Sequence, residues 1–119
     1  MTTIPSPTLF VVPREAVERL SWQPLPGGGG VEHRAVYVGD GVVAGQLRLG
    51  PGAREPRHLH GHGEHHVWVL EGEVVVDDTR LAAGSYLHVP AHLMHQLVDT
   101  GSGSLLFYVF SGTPEPARP

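Results

Sequence analysis

The 119-residue chain contains no cysteine, which excludes disulfide bonds, thiolate metal ligands and a cysteine nucleophile. Basic residues are also few, because eight Lys and Arg against twelve Asp and Glu give a net charge of −4 with neutral histidines. The chain therefore has no positive field to attract nucleic acid or an anionic membrane surface. We expect neither of them as a partner.

Long apolar runs are missing as well, since none approaches the ~20 residues that a membrane span needs. The N-terminal stretch MTTIPSPTLFVVPREAVERL has neither the basic start nor the long apolar segment of a secretory signal. These absences predict a cytoplasmic protein. The length predicts one domain, with enough chain for a core but not for two domains.

Glycine and proline are abundant, with 16 and 11 residues, which indicates many tight turns between short strands. Residues 13–20 (PREAVERL) predict one short helix, because proline begins the segment and apolar residues follow at helical spacing. Residues 24–30 (PLPGGGG) predict a mobile loop. Elsewhere apolar runs alternate with turn signals, as is typical of a β-sandwich or barrel. The strands predicted in this way cover residues 8–12, 33–38, 42–49, 65–70, 73–78, 85–89, 95–99 and 105–110.

Five of the nine histidines fall within the ten residues RHLHGHGEHH, positions 57–66. On a strand, residues i and i+2 face the same side, so His58 and His60 can converge on one ion. His65 and His95 each begin a predicted strand and can supply a third and a fourth ligand. Neutral imidazole suits Zn, Cu, Fe and Ni. The alternative is a set of solvated loop histidines.

The spacing around these histidines resembles the first motif of the cupin family. That motif is a glycine, five residues, His-x-His, three or four residues, a glutamate, six residues and a glycine. The sequence has Gly52, five residues, His58-x-His60, four residues, His65, six residues and Gly72. The spacing agrees at every step, and His65 stands where the family has glutamate.

The second cupin motif is a glycine, five residues, Pro-x-Gly, two residues, a histidine, three residues and an asparagine. The sequence has Gly84, five residues, Pro90-x-His92, two residues, His95, three residues and Asp99. Here His92 replaces a glycine of the motif and Asp99 replaces the asparagine. A glycine at position 92 would allow a positive φ at lower cost than histidine.

The resemblance covers residues 52–99 and implies an all-β fold, a double-stranded β-helix (cupin barrel or jelly roll), with one short N-terminal helix. We expect residues 31–112 to form the barrel and residues 1–30 to pack on it as a strand, a short helix and a Gly-rich loop. Residues 113–119 are expected to be a flexible tail. The resemblance also implies one divalent transition metal inside the barrel, either Fe, Mn, Ni, Cu or Zn. Its ligands would be the four histidines His58, His60, His65 and His95.

Glu64 is the alternative to His65 as the third ligand. A register slip of one residue exchanges the two faces of a strand and would turn Glu64 inward. The three-residue spacer that results is also allowed in the family, although seven residues rather than six would then precede Gly72. We therefore favour His65 and keep Glu64 as a candidate acceptor for the N–H of a ligand histidine or as a proton carrier.

Four neutral imidazoles would leave the 2+ charge of the ion uncompensated, which favours anionic, chelating oxygen donors. An octahedral ion would keep two positions for substrate or O₂, whereas tetrahedral zinc would be closed and structural. The family resemblance implies a metal-dependent dioxygenase or related oxidoreductase that acts on a small oxygenated substrate. The alternatives are a non-redox cyclase, isomerase or lyase, and a cupin that binds a metal or ligand without turnover.

Other residues are assigned by strand parity alone. Tyr86 and His88 share one face of their predicted strand. If that face is the inner one, they are candidates for substrate contact or proton transfer, and if it is the outer one, they pack. Gln46 and Arg48 are candidate pocket groups, because their strand lines many cupin barrels. His33 has no motif context and is expected at the surface.

Single-domain cupins commonly form homodimers by adding an N-terminal strand across a sheet edge. The segment 8–12 could do this and would cover an exposed edge. We therefore expect a homodimer.

Overall fold

The computed structural model of the protein describes residues 7–55 and 63–112. Among these residues no helix is long and apolar enough to cross a membrane. The elements in chain order are α1 (Arg14–Glu18), β1 (Gln23–Pro24), β2 (Val31–Gly39), β3 (Val42–Leu49), β4 (Gly63–Glu71), β5 (Glu73–Val76), β6 (Thr79–Ala82), β7 (Tyr86–Val89), β8 (Leu97–Asp99) and β9 (Ser104–Gly112).

The strands form two antiparallel sheets. The larger sheet has the strand order β1-β2-β3-β9-β4-β7, and the smaller one has the order β6-β5-β8. In the larger sheet β9, the last strand of the described chain, lies between β3 and β4, so strands distant in sequence become neighbours. The predicted all-β jelly roll with one short helix is confirmed.

The core lies between the sheets and follows from the two-residue alternation of the strands. On β3, Leu47 and Leu49 are buried, whereas Arg48 between them is exposed. Each fully buried aliphatic side chain contributes about 1.5–3 kcal/mol. The cluster is drawn from both sheets and consists of Val31, Leu47, Leu49, Val67, Val69, Val74, Leu97 and Leu106.

Most strand predictions agree with the structure, and β3 has the predicted bounds 42–49. The strand predicted at residues 8–12 is wrong, because this segment has no regular structure and Leu9, Phe10 and Val11 are 90%, 63% and 64% exposed. An apolar run forms a strand only where a neighbouring edge pairs with it, and β1 pairs with β2 instead. The two strands that the sequence did not predict, β1 and β6, are short, with two and four residues.

Candidate metal centre

A cavity of about 320 Å³ lies inside the barrel. Its walls are mainly apolar, but several ionisable side chains face into it from strands β2, β4 and β9 and from the loops before β4 and β8. The residues that line the cavity are Leu25, Pro26, His33, Leu47, Glu55, His65, Val67, Leu87, Val89, His95, Leu97 and Tyr108. A few converging polar groups in an apolar pocket are the common form of a small-molecule site.

His65 and His95 lie side by side in this cavity, with ring centroids 6.4 Å apart and ring planes nearly perpendicular. His65 points inward because it alternates with Glu64 and His66 on β4 and shares its face with buried Val67. One ion bonded about 2 Å from a nitrogen of each ring can bridge this separation. The structure therefore brings together two of the four predicted ligands and places His65, rather than Glu64, on the cavity side.

The His95 ring is oriented by the backbone beside it. It is buried, and its Nδ1–H donates to the carbonyl oxygen of Leu93 at 3.1 Å. A carbonyl oxygen can only accept, so Nδ1 carries a proton, and in the neutral ring the lone pair is on Nε2. Metal-ligating histidines are commonly fixed in this way, with the other ring nitrogen donating to a carbonyl or carboxylate. The predicted partners His58 and His60 lie outside the described residues.

Glu55 is a functional candidate that the sequence analysis missed. The side chain is only 6% exposed, and its Oε1 atom lies 3.9 Å from Nε2 of His95. Oε1 also accepts the backbone N–H of Leu97 at 3.1 Å, and the Glu55 carbonyl accepts from Gln96 Nε2 at 2.8 Å. No spacing rule singles out Glu55, because its position depends on the pairing of its segment with the residues after His95.

His33 and Tyr108 complete the polar lining. The expectation that His33 lies at the surface is wrong. On β2 it pairs with the buried Leu47 of β3, and it lines the cavity. The Tyr108 ring centroid lies 5.9 Å from that of His65. Burial raises the pKa of Tyr108, so its phenol stays protonated at neutral pH and can donate a hydrogen bond.

Gln46 and Arg48 do not line the cavity, which corrects their assignment as pocket groups. Gln46 accepts a hydrogen bond from Arg34 Nε at 2.8 Å, and Arg48 pairs with Glu32 at 2.7 Å. Both guanidinium groups lie over the ring of Trp22, 4.1 and 4.2 Å from its centroid. These side chains form a cation–π arrangement on the outer face of the sheet.

Glu64, Tyr86 and His88 lie together on the outer face of β4 and β7, away from the cavity. His88 is paired with His66 in register, whereas the inward residues Val89 and His65 form the next pair. Glu64 contacts both outer histidines, at 3.0 Å from His88 Nε2 and 3.3 Å from His66 Nε2. These hydrogen bonds, first that of His88 and then that of His66, lower the pKa of Glu64.

The fold and the motifs define the class of protein, which is the cupin superfamily. Within it, the family model described as the ChrR cupin-like domain matches residues 14–114, and the chain belongs to this family. No curated protein sequence matches the chain.

Solved structures give the same result for the fold. An RmlC-like cupin from Shewanella frigidimarina is 29% identical, with a TM-score of 0.69 over 82% of this chain and 88% of that one. A chain in the complex of Rhodobacter sphaeroides SigE with the anti-sigma ChrR is 26% identical, with a TM-score of 0.68 over 79% of this chain and 49% of that one. The polyketide cyclase RemF from Streptomyces resistomycificus, 21% identical, has a TM-score of 0.74 over 92% of this chain and 83% of its own and shows a similar fold.

Proposed function

We propose that this cupin is a metal-dependent enzyme that binds a small, chelating, oxygenated substrate in the barrel cavity, and that it is a dioxygenase or related oxidoreductase. The observation that carries the proposal is the convergence of His65, His95 and Glu55 in a cavity whose other walls are mainly apolar. The described donors are two imidazoles and one carboxylate, a set that suits divalent Fe, Mn, Ni, Cu and Zn.

The four ligands in this proposal are His58, His60, His65 and His95. A bound divalent ion would polarise an oxygen atom of the substrate and, if it is redox-active, would exchange electrons with substrate and O₂. The contribution of the chain is to hold His65 and His95 in fixed orientations. In the neutral ring, the donation from His95 Nδ1 to Leu93 leaves the lone pair on Nε2, the nitrogen on the side of Glu55.

Glu55 modifies the expectation that four neutral ligands leave the charge of the ion uncompensated. Its carboxyl group lies beside His95 in a buried position and, when ionised, brings one negative charge to the site. In a low-dielectric cavity this charge stabilises a nearby cation strongly. Glu55 thus supplies, from another place in the chain, the negative charge that the cupin glutamate would have supplied at position 65.

Tyr108 and His33 are the groups we assign to substrate orientation. The protonated Tyr108 phenol can donate to a substrate oxygen, and His33 can donate or accept from the neighbouring wall. The apolar lining, which includes Val67, Leu87 and Leu97, favours a hydrocarbon body on the substrate. About 320 Å³ is at the small end of ligand pockets, so the substrate is small, of the size of a short diketone or a single substituted ring.

Oxygen uptake by metal-reconstituted protein tests this proposal. The protein is loaded separately with Fe(II), Mn(II), Ni(II) and Cu(II) and is mixed in air with 1,3-diketones and polyphenols. We expect uptake and product formation with at least one metal, lost in His65→Ala and His95→Ala, while His92→Asn, an exposed histidine change, keeps the activity. Turnover without O₂ uptake would instead support a cyclase, isomerase or lyase. No product with any metal would count against an enzyme.

A ligand-binding module without turnover is the second candidate. The family model and the similarity to a chain in the SigE–ChrR complex favour it, because in such a role the cavity would report a bound ion or ligand to a protein partner. A metal that binds tightly in the absence of any turnover, and that changes the affinity for a sigma-factor-like partner, would support this function.

We also propose a homodimer. The exposed apolar side chains Leu9, Phe10 and Val11 suit burial against a second copy, since patches of this kind commonly mark interfaces. Sedimentation of the full chain should give the mass of two chains, and removal of residues 1–12 should give the mass of one.

A further inference from the structure

The cluster of Glu64, His66 and His88 on the outer face has the composition of a metal site. Glu64 and His66 are two residues apart on β4 and share a face, and His88 stands directly opposite His66 on β7. The backbone register alone therefore brings two imidazoles and one carboxylate together. One ligand atom from each of the three residues lies within 4.8 Å of the others.

The distances within the cluster fit a small divalent ion. Two ligands at about 2.0–2.1 Å from a tetrahedral Zn²⁺ are about 3.3 Å apart. Glu64 Oε1 lies 3.3 Å from His66 Nε2, and Glu64 Oε2 lies 3.0 Å from His88 Nε2, so each histidine nitrogen is already about one ligand–ligand distance from an oxygen of the carboxylate. One ring nitrogen of each histidine and one oxygen of Glu64 lie within 4.8 Å of one another, a separation that a small rotation of the side chains would close.

Tyr86 supplies an independent geometric support. Its hydroxyl hydrogen-bonds to Nδ1 of His66, the nitrogen that points away from Glu64. In the ligating state Nδ1–H donates to the Tyr86 oxygen and Nε2 faces the ion, which is the usual arrangement around a metal-bound histidine. The rings of His66 and His88 are stacked with centroids 4.9 Å apart, and the Nε2 atoms of both rings lie beside the Glu64 carboxylate.

This cluster is separate from the cavity centre. Adjacent strand residues face opposite sides of the sheet, so His65 lies on the inner face whereas Glu64 and His66 lie on the outer one. The side chains of Glu64, His66 and His88 are 45%, 32% and 42% exposed. An ion can therefore reach them from solvent without passing through the barrel.

We propose that Glu64, His66 and His88 form a second, outward-facing Zn²⁺ site with Tyr86 as the positioning residue of His66. The three protein ligands leave one tetrahedral position open to water or to a donor from another molecule. The site is independent of the function proposed for the cavity and does not require it.

Zinc titration of the metal-free full chain against a chromophoric chelator tests the proposal. We expect the double variant His66→Ala/His88→Ala to bind one Zn²⁺ fewer per chain than the unaltered protein, while His92→Asn loses none. Tyr86→Phe should keep the outer site but weaken it by about 10- to 100-fold. The His65→Ala/His95→Ala variant should keep the outer ion, whatever happens in the cavity.

A second measurement reports the geometry of the site. Co²⁺ in a tetrahedral site gives an intense visible absorption, and the part that belongs to the outer site should disappear in Glu64→Gln/His88→Ala. An unchanged zinc stoichiometry in His66→Ala/His88→Ala, together with an unchanged Co²⁺ spectrum in the second variant, would overturn the proposal. Even if the cavity holds no ion, the His66→Ala/His88→Ala variant should bind one Zn²⁺ fewer than the unaltered protein. A failure of the outer site can therefore be distinguished from a failure of the cavity site.

Discussion

The carboxylate of Asp99 accepts a hydrogen bond from the backbone N–H of Gly52 at 2.9 Å. These two residues are the last position of the second cupin motif and the first position of the first motif. The same oxygen accepts from Gly101 and Gly103 at 2.8 and 3.0 Å, and the other oxygen accepts from the Ser104 hydroxyl. The buried Asp99 thus connects Gly52, which precedes the histidine-rich segment, to the turn that precedes β9.

Asp99→Ala should destabilise the protein by about 3 kcal/mol or more, because four donors, one of them buried and three partly buried, lose their acceptor. Asp99→Asn should cost only about 1 kcal/mol, since the amide oxygen can still accept the backbone N–H groups and the amide nitrogen can donate to Ser104. Urea denaturation measures both. The exposed change Asp40→Asn serves as the control, and equal losses for Asn and Ala at position 99 would contradict the hydrogen-bond assignment.

The stability contributed by Asp99 should depend on pH. Burial alone raises the pKa of Asp99, but the hydrogen bonds from Ser104 and from the N–H groups of Gly52, Gly103 and Gly101 outweigh it and lower the pKa below 3.8. A lowered folded-state pKa contributes stability above the unfolded-state value that is lost as the pH falls through the folded-state value. Urea midpoints measured from pH 6 downward should fall less steeply below about pH 4 in Asp99→Asn than in the unaltered chain. Parallel profiles would contradict this.

Gly72→Ala should lower the free energy of unfolding by about 3 kcal/mol or more. Gly72 has a φ of 81°, and an added Cβ would overlap the carbonyl oxygen of Gly103. Gly84 is the matched control, because its φ is 95° but nothing lies within 4 Å of an added Cβ. Gly84→Ala should therefore show only the backbone strain, about 1–2 kcal/mol. Thermal unfolding compares the two, and similar losses would show that the close approach at Gly72 has no effect.

Glu55→Gln should weaken metal binding in the cavity by about 10- to 100-fold while the fold is kept. The amide oxygen can still accept the Leu97 N–H, but the negative charge beside His95 is lost. Isothermal titration with Zn²⁺ in the His66→Ala/His88→Ala background isolates the cavity site. Glu32→Gln removes an exposed carboxylate and should leave the affinity unchanged, and an equal loss in both variants would point to a general charge effect.

Strands could be predicted from the sequence where turn residues flank a run in which apolar and polar residues alternate. The bounds of β3 were correct because GDG and GPG end the alternating run on both sides. The segment 8–12 has the same apolar character but finds no edge to pair with, and pairing is a property of the whole fold. β6 was not predicted because its residues, TRLA, carry little alternation of their own.

The site was predictable only where motif spacing fixes the inward face. His65 and His95 were identified in this way, and both line the cavity. Outside the motifs the inward face depends on strand register, which is interrupted on β2 by a bulge between Ala35 and Tyr37. His33 was misplaced because its inward face follows from its pairing with Leu47, and Glu55 was not found because its position depends on the pairing of its segment with Leu97.

His92 shows a departure from the motif that the backbone tolerates. It adopts a φ of 65°, the left-handed conformation that the family's glycine at this position would allow freely. The turn therefore forms with a histidine where the motif has a glycine, and the histidine is exposed.

Anomalous X-ray scattering from crystals of the Co²⁺-loaded protein shows directly whether an ion lies between His65 and His95. We expect an ordered ion inside the barrel, with nitrogens of His65 and His95 at about 2.0–2.2 Å. Crystals grown with excess Co²⁺ in which no ion lies between these two rings would contradict it.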